Sequence, residues 1–599
     1  MSNDTREKIK SLLQNSRLDD AKKLCQSFCK KNKNDAEAWF MLGTIYGQIS
    51  EYDNAVNSLR KSISLQNNVA ITHHNLGLIY LYSDKPVLAR SSFEKALKLD
   101  PGSSATRLEL ANALQAEGSP EDAIPMYENI LKFNPDSTTV LVNLASAYTA
   151  TGRFDEAISS CRKLLKLQPN STQTLFMLGN ACRAAGEVSE AETAFRKALQ
   201  IDPNLSGVLN NLGLTLYDQE LYIDAASCFK RSLEIEPRQS DAYINLAKCH
   251  QDLRETAAAK EVLEAALNFH PKKPEIHWDL SLVLLKLGQF DEGWKEYEWR
   301  LESSDQTKRN MPLPAWKGED ISNKTILVTA EQGIGDEIMF SSCFPELATL
   351  ARRVVIDCEE RLAPLFSRSF PEYDIHPGKQ SDDITQTGLL SGIDVHIPAG
   401  SIPQHLRKHP HDFPAHNGYL SANPGDIEKW TARYSELGQN INIGISWKGG
   451  HISKMQQRST SIEDWLPLLK IPGINFINLQ YGNTQTDIDI ARDISGTTIH
   501  HWDDSDPLKN MDDFAAQISA LDLVISVDNS TVHLAGALGV KTWVLQPFNP
   551  DWRWLEHAEY SYWYPDVRQF HPLSPGEWSS LMDSVTTRLQ ELVGPGDTR

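Results

Sequence analysis

A period of 34 residues, running without a gap through its first half, constrains this chain more than any other feature. Leucine followed by a small residue recurs at Leu42-Gly43, Leu76-Gly77, Leu110-Ala111, Leu144-Ala145, Leu178-Gly179, Leu212-Gly213 and Leu246-Ala247, with Leu280-Ser281 next in step. A second small-residue series follows at Ala55, Ala89, Ala123, Ala157, Ala191, Ala225 and Ala259. Prolines close successive units at Pro101, Pro135, Pro169, Pro203, Pro237 and Pro271. The pattern predicts two antiparallel helices per unit: the small residues let them approach, Tyr46, Phe93, Phe195 and Phe229 fill the gaps, and proline stops the second helix. One such unit cannot bury its apolar face alone, so successive units must stack.

This is the tetratricopeptide pattern. Eight repeats occupy residues 36–303, and a weaker unit over residues 1–35, with Ala21 in the alanine position, is expected to cap them. The expected fold of this half is an all-α superhelix whose first helices line a groove for a protein or peptide partner. The residue before each leucine pair is Asn75, Asn143, Asn211 and Asn245 in four repeats, and Met41, Glu109, Met177 and Asp279 in the others. An amide carries a donor and an acceptor together, so a row of them can bind a peptide backbone without reading its side chains. The row resembles the asparagine ladder of the O-linked N-acetylglucosamine transferases; the alternative is a set of exposed polar helix positions.

The chain has no apolar run approaching the roughly 18 residues of a membrane span. Its start, MSNDTREKIKSLLQ, lacks the apolar core of a secretory signal, so a cytoplasmic protein without stable membrane insertion is expected. A formal net charge of −20 argues against general capture of nucleic acid, and any anion site must be built locally. The 8 cysteines form no C-x-x-C pair, which leaves them as reduced, mostly packed residues.

Beyond Leu301 the period changes. A proline-bearing linker is expected over residues 304–324, followed by short apolar runs at 326–329, 354–358, 441–447, 474–480, 521–527 and 542–548 that alternate with helical patterns. Runs of this kind predict buried parallel strands. The loop-like stretch 415–430 divides them into two lobes, residues 325–430 and 431–599, with a ligand cleft expected at the carboxyl ends of the strands.

Two strand-to-helix turns carry the candidate chemistry. AEQGIGDEIMF, residues 330–340, has two glycines but Ile338 where a dinucleotide fingerprint needs a third small residue, and the chain has no Gly-Lys-Ser/Thr phosphate loop here. The glycines allow a sharp bend that offers Asp336 at a helix entrance, where the dipole favours a carboxylate and a base could face an acceptor hydroxyl. Helix capping alone would also place an aspartate there. In LDLVISVDNSTVHLAGALG, residues 521–539, a buried strand leads through Asp528, Asn529, Ser530 and Thr531 into a helix with His533, an arrangement suited to phosphate.

EQGIGDE, SVDNSTVHLAGALG and QPFNPDWRWL together resemble the glycosyltransferase family 9 domain, that of the ADP-heptose:lipopolysaccharide heptosyltransferases, and more closely the tetratricopeptide-repeat proteins that carry it. The resemblance covers residues 312–572 and implies an α/β GT-B fold of two Rossmann-like lobes, the acceptor toward the first and a nucleotide-sugar donor in the second. It implies Asp336 as the base, and Asp528 and His533 at the donor. The family's donor-contacting lysine has its nearest counterpart in Arg458, a departure that leaves Lys448 and Lys454 as alternatives. Ser446 is a further candidate for the donor phosphates, with an ordinary strand-end role as its alternative. Trp552, Arg553 and Trp554 are placed to border the nucleotide, but aromatic rings more often serve as packing, and the trio is a family marker first. His405, His409, His411 and His416 are interrupted by Pro410 and lack the carboxylate spacing of a metal site, while 487–489 and 504–506 match the D-x-D of metal-dependent transferases only in form, as is unsurprising in so acidic a chain. GT-B transferases generally need no such metal, so the resemblance implies a reaction with no metal and no cofactor that transfers a sugar with inversion to a protein or glycan hydroxyl. The competing expectation is a repeat scaffold whose α/β half has lost catalysis, a reading kept open by the lysine-to-arginine departure.

Overall fold

The computed structural model describes residues 3–303, 311–378, 389–449 and 458–594. Residues 304–310 of the expected linker, and Lys454, lie outside them. The helical half is a succession of antiparallel pairs, from Asn3–Gln14 with Leu18–Lys31 to Pro274–Lys286 with Phe290–Tyr297. Within each pair the chain reverses through a residue at positive φ, at Ser16, Ser50, Asp84, Gly118, Gly152, Gly186, Glu220, Arg254 and Gly288. The 34-residue step is thus written in the backbone from the first pair onward, where the sequence keeps little of it besides Ala21. The small residues have the expected cause: a Cβ on Gly179 would come within 2.4 Å of the Phe195 ring.

The chain forms two compact units, Met1–Ile235 and Glu236–Arg599. The division falls within the repeats, and the last two helix pairs lie in the same compact unit as the α/β half. Trp294, on the final repeat helix, is buried and its indole N–H donates to the Arg407 carbonyl at 2.9 Å. Arg254 donates to the Glu556 carbonyl at 2.7 Å, the Asn549 amide to Asp252 at 2.9 Å, and Lys286 to Asn549. The described part of the linker runs alongside a strand: Trp316 N–H donates to the His396 carbonyl at 2.8 Å and His396 N–H to that of Pro314 at 3.0 Å.

Two parallel sheets follow. The first contains β1 (Thr325–Thr329), β2 (Arg353–Glu359), β3 (Asp374–Gly378) and β4 (Val395–Pro398), in the order β3-β2-β1-β4. The second contains β5 (Ile441–Ser446), β6 (Ile474–Asn478), β7 (Ile499–His500), β8 (Leu523–Val527), β9 (Thr542–Leu545) and β10 (Val567–Phe570), in the order β10-β9-β8-β5-β6-β7. Every strand pairing is parallel. In each sheet the chain steps outward to one side of its first strand and then reverses to the other, the doubly wound arrangement that opens a crevice at the carboxyl ends next to that strand. The crevices adjoin β1 and β4 in the first sheet, and β5 and β8 in the second. β1 and β8 are buried along their whole length, which is why TILVT and LVISV are continuous apolar runs. Among the described residues, no helix is long and apolar enough to cross a membrane.

Candidate functional site

A cavity of about 440 Å³ lies where the turns after β1, β5 and β8 meet. Gly333 to Asp336 line it from the first lobe; Gly449, Arg458, Asp528 to Thr531 and His533 line it from the second, and Arg553 joins them. Gly335 permits the approach. A Cβ there would lie 3.1 Å from the imidazole of His533, so the two turns meet with little more than a hydrogen between them.

Asp336 is the third residue of the helix Ile334–Phe340, whose N-cap is Gly333. One carboxylate oxygen accepts the Gly333 N–H at 3.2 Å, the local capping role that an aspartate in the first turn can fill. The other accepts from Arg553 Nε at 2.9 Å and also from Nη2. Arg553 Nη1 donates to Asp551 at 2.5 Å, whose second oxygen accepts from Arg458 at 2.7 Å. Arg458 reaches Asp528 at 3.1 Å, and Asp528 accepts the Trp554 indole N–H at 2.8 Å. Acid and base alternate from Asp336 to Asp528, with three carboxylates to two guanidinium groups. Burial alone would lower the Arg553 and Arg458 guanidinium groups, but the adjoining aspartates outweigh it and hold both above their ordinary range. His533 moves the other way: burial lowers it, against the opposing pull of Asp528, which favours a neutral ring. Its Nδ1 is 3.0 Å from the Tyr564 hydroxyl and its ring stacks on Trp554 at 5.4 Å.

Ser530, Thr531, Asp528, His533 and Arg458 therefore meet Asp336 around one space. Asn529, also on the wall, caps the helix Ser530–Ala537 by accepting the Thr531 N–H at 3.0 Å and donates to Ser446 at 2.8 Å. Ser446 stands apart: fully buried at the end of β5, it donates to Gln480 at 3.0 Å and is absent from the cavity wall, so it props Asn529 instead of facing a ligand. Lys448 turns away to Asp487 at 2.5 Å. The D-x-D aspartates are likewise engaged, Asp489 with Arg492, Asp504 with Arg433 and Asp506 with Lys509. Among the described residues the four histidines of 405–416 form no group at metal-binding distances. On the repeats, Asn75 donates to Thr44 at 3.2 Å, Asn143 to Asn112 at 2.8 Å and Asn211 to Asn180 at 3.0 Å. Each such amide thus links its helix to the first helix of the preceding repeat. Asn245 sits at the same step on the helix Ser240–Asp252.

The pairing of Arg553 and the part played by Asp551 escaped the sequence reading, although two opposite charges within DWRWL were a signal that more than packing was at work. So did the support that the last repeat gives the site. Arg300, with a side chain 0% exposed, clamps Glu331 through Nε at 2.9 Å and Nη2 at 2.6 Å and also reaches Ser401 at 2.8 Å. Gln332, at φ +64, donates to the Tyr297 hydroxyl at 2.6 Å. Trp552 packs against Trp294 and Tyr297 at centroid distances of 5.5 and 5.7 Å and carries the Arg553 guanidinium over its own ring at 4.5 Å. The last repeat is thus the back wall for both loops that deliver the Asp336 and Arg553 pair.

The tetratricopeptide-repeat family matches residues 36–69, 70–103, 136–204 and 216–277, and the helical half is built of these repeats. Protein FlbA of Caulobacter vibrioides is 32% identical over 359 residues, 57% of this chain and 60% of that protein. The chain thus spans about 60% of the length of the curated relative it matches. Similar solved structures include YrrB, described as a TPR protein with an unusual peptide-binding site, at 20% identity and a TM-score of 0.29, covering 31% of this chain and 95% of that one. The C-terminal part of a TPR repeat-containing protein from Cytophaga hutchinsonii is 17% identical with a TM-score of 0.35, covering 40% and 98%. MamA from Desulfovibrio magneticus is 18% identical with a TM-score of 0.27, covering 28% and 96%.

Proposed function

We propose that the chain is a glycosyltransferase of GT-B type that moves a sugar from a nucleotide-sugar donor to a hydroxyl of a protein or glycan acceptor, while its repeats hold a protein partner. The observation that carries this reading is the cavity itself, in which a carboxylate from the first lobe, Asp336, faces a helix entrance and two guanidinium groups from the second. The crevice at a topological switch point is where doubly wound sheets bind ligands. In the reaction, the acceptor oxygen attacks the anomeric carbon from the side opposite the leaving group and passes its proton to Asp336. The carbon–oxygen bond to the diphosphate breaks, its electron pair leaving on the phosphate oxygen. Ser530, Thr531 and Arg458 would meet that charge, so catalysis rests on positioning and charge stabilisation. The donor is the substrate; the reading calls for no cofactor, and recruitment of a protein acceptor falls to the groove of the repeats.

One observation favours the competing scaffold reading: Asp336 is bound to Arg553, and a carboxylate engaged in this way is no base. The two readings separate when the purified protein is given a panel of sugar nucleotides with an acceptor extract and nucleotide release is followed. The transferase should release nucleotide, and Asp336→Ala should lower that rate by about 100-fold or more, the scale expected for loss of a general base. Equal rates for the two proteins, or no release across the panel, would leave the scaffold.

A further inference from the structure

Among the described residues, every cation on the cavity wall already has a carboxylate. Arg553 is held by Asp336 and Asp551, Arg458 by Asp551 and Asp528, and Arg361 by Glu359 at 2.9 Å. A diphosphate that binds one of these guanidinium groups must take it from an acid, and the geometry identifies the acid that can yield one. Asp528 is enclosed, with a side chain 3% exposed, and also holds Trp554; Asp551 is shared between both arginines. Asp336 is the outermost, 16% exposed, and it keeps the Gly333 N–H and a helix N-terminus when its arginine leaves.

We propose that Arg553 is a ligand for the donor's diphosphate that Asp336 holds in reserve, so that diphosphate entering the cavity takes the guanidinium and frees the carboxylate that serves as base. The inference rests on the donor-site reading given above. It removes the conflict in that reading, because the pair that silences Asp336 is broken by the substrate itself. A diphosphate offers more charge and more acceptor oxygens than one carboxylate, and a guanidinium fork suits it. Activation of the acceptor is then ordered after donor binding, and no competent base faces water while the donor is absent.

The backbone supports an exchange at this pair. Among the described residues, the non-glycine residues at positive φ outside the repeat turns are Gln332 and Leu555. The first precedes the turn that carries Asp336 and the second follows Arg553 by two residues. Leu555, at φ 58 and ψ 155, occupies a region that is almost confined to glycine. Strain of this kind persists only where surrounding contacts over-determine it, and here it flanks both partners of a single ion pair.

The test is a double-mutant cycle on anion binding, with ADP, UDP, GDP and inorganic pyrophosphate as probes in isothermal titration calorimetry and thermal melts to verify folding. Asp336→Asn should tighten binding of the best probe about tenfold, since it releases Arg553 in advance, and Arg553→Gln should weaken it by about as much. In the double variant the gain from Asp336→Asn should vanish. Should Arg553→Gln fail to fold, Arg553→Lys serves in the same cycle; its lost fork should cut the gain to less than about threefold. A wild-type protein that binds no probe overturns the donor site and the exchange together. Binding that is indifferent to Asp336→Asn overturns the exchange alone, as does a gain that persists undiminished when Arg553 is replaced, because that gain would be a general field effect.

Discussion

Burial lowers the proton affinity of six histidines in the second compact unit. His571 is pushed down to about 4 from its ordinary 6.5, chiefly by burial and further by the nearby Arg254 guanidinium. His533, His396, His405, His416 and His500 move in the same direction, with burial first in each case. Between pH 6.5 and 4 the unfolded chain binds a proton at His571 that the folded chain refuses. Stability is therefore full above pH 6.5 and is lost as pH falls toward 4, by about 2 kcal/mol at pH 5 from this residue alone. Urea midpoints taken at pH 7.5 and pH 5 should show the drop, and His571→Gln should flatten part of it; a midpoint independent of pH would rule the mechanism out. At this scale the candidate site was half legible. Asp336 and the run Asp528 to Thr531 lie in turns whose chemistry is local, so the residues announce themselves. The ion pair of Arg553 was not legible, because its partner is Asp336, 217 positions away in the chain. Ser446 misled for the same reason: whether a strand-end hydroxyl faces a ligand or a neighbouring asparagine is decided by Asn529, 83 positions on.

Among the elements, the strands divide cleanly. β1, β2, β5, β6, β8 and β9, all interior to their sheets, match the apolar runs of the sequence, while β3, β4, β7 and β10, all at edges, went unread. An interior strand of a parallel sheet is covered on both faces and must be apolar throughout, whereas an edge tolerates proline, charge and brevity. DIHPG and VHIP are strands by virtue of the neighbours they pair with, not by their own composition. The helices show the opposite case, since their packing is fixed by small residues at a regular step. Gly179 and Gly207 make a matched pair. A methyl at Gly179 would come within 2.4 Å of the Phe195 ring, whereas one at Gly207, on the helix Ser206–Tyr217, meets nothing within 4 Å. Gly179→Ala should cost about 1–3 kcal/mol by overpacking, and Gly207→Ala should stabilise by about 0.5–1 kcal/mol through helix propensity. Urea denaturation of the two variants checks both signs, and similar shifts would mean that the close approach of the paired helices does not set the small-residue step.

For the whole molecule, the question is where the chain can be cut. The change of pattern near residue 304 suggests a boundary there, because sequence period marks how an element was built and not what it packs against. Cutting at that point would remove Arg300 from Glu331, the Trp294 indole from the Arg407 carbonyl, and Trp294 and Tyr297 from Trp552. Leaving Glu331 without its buried partner alone costs about 3–5 kcal/mol, a large share of the roughly 5–15 kcal/mol by which a domain is stable. A fragment of residues 304–599 should therefore lose its cooperative melt or aggregate, while a fragment of residues 236–599, which keeps the last two helix pairs, should melt cooperatively and retain the cavity. Circular dichroism melts of the two fragments decide the matter. Arg300→Met in the full chain isolates the clamp: it should lower the stability of the α/β half and slow nucleotide release, since Glu331 adjoins the turn that presents Asp336. A cooperative melt from the 304–599 fragment would mean that the last repeats only lean on the site. The expected outcome makes them part of it, so that a partner docked on these repeats bears directly on the residues that hold the turn of Asp336.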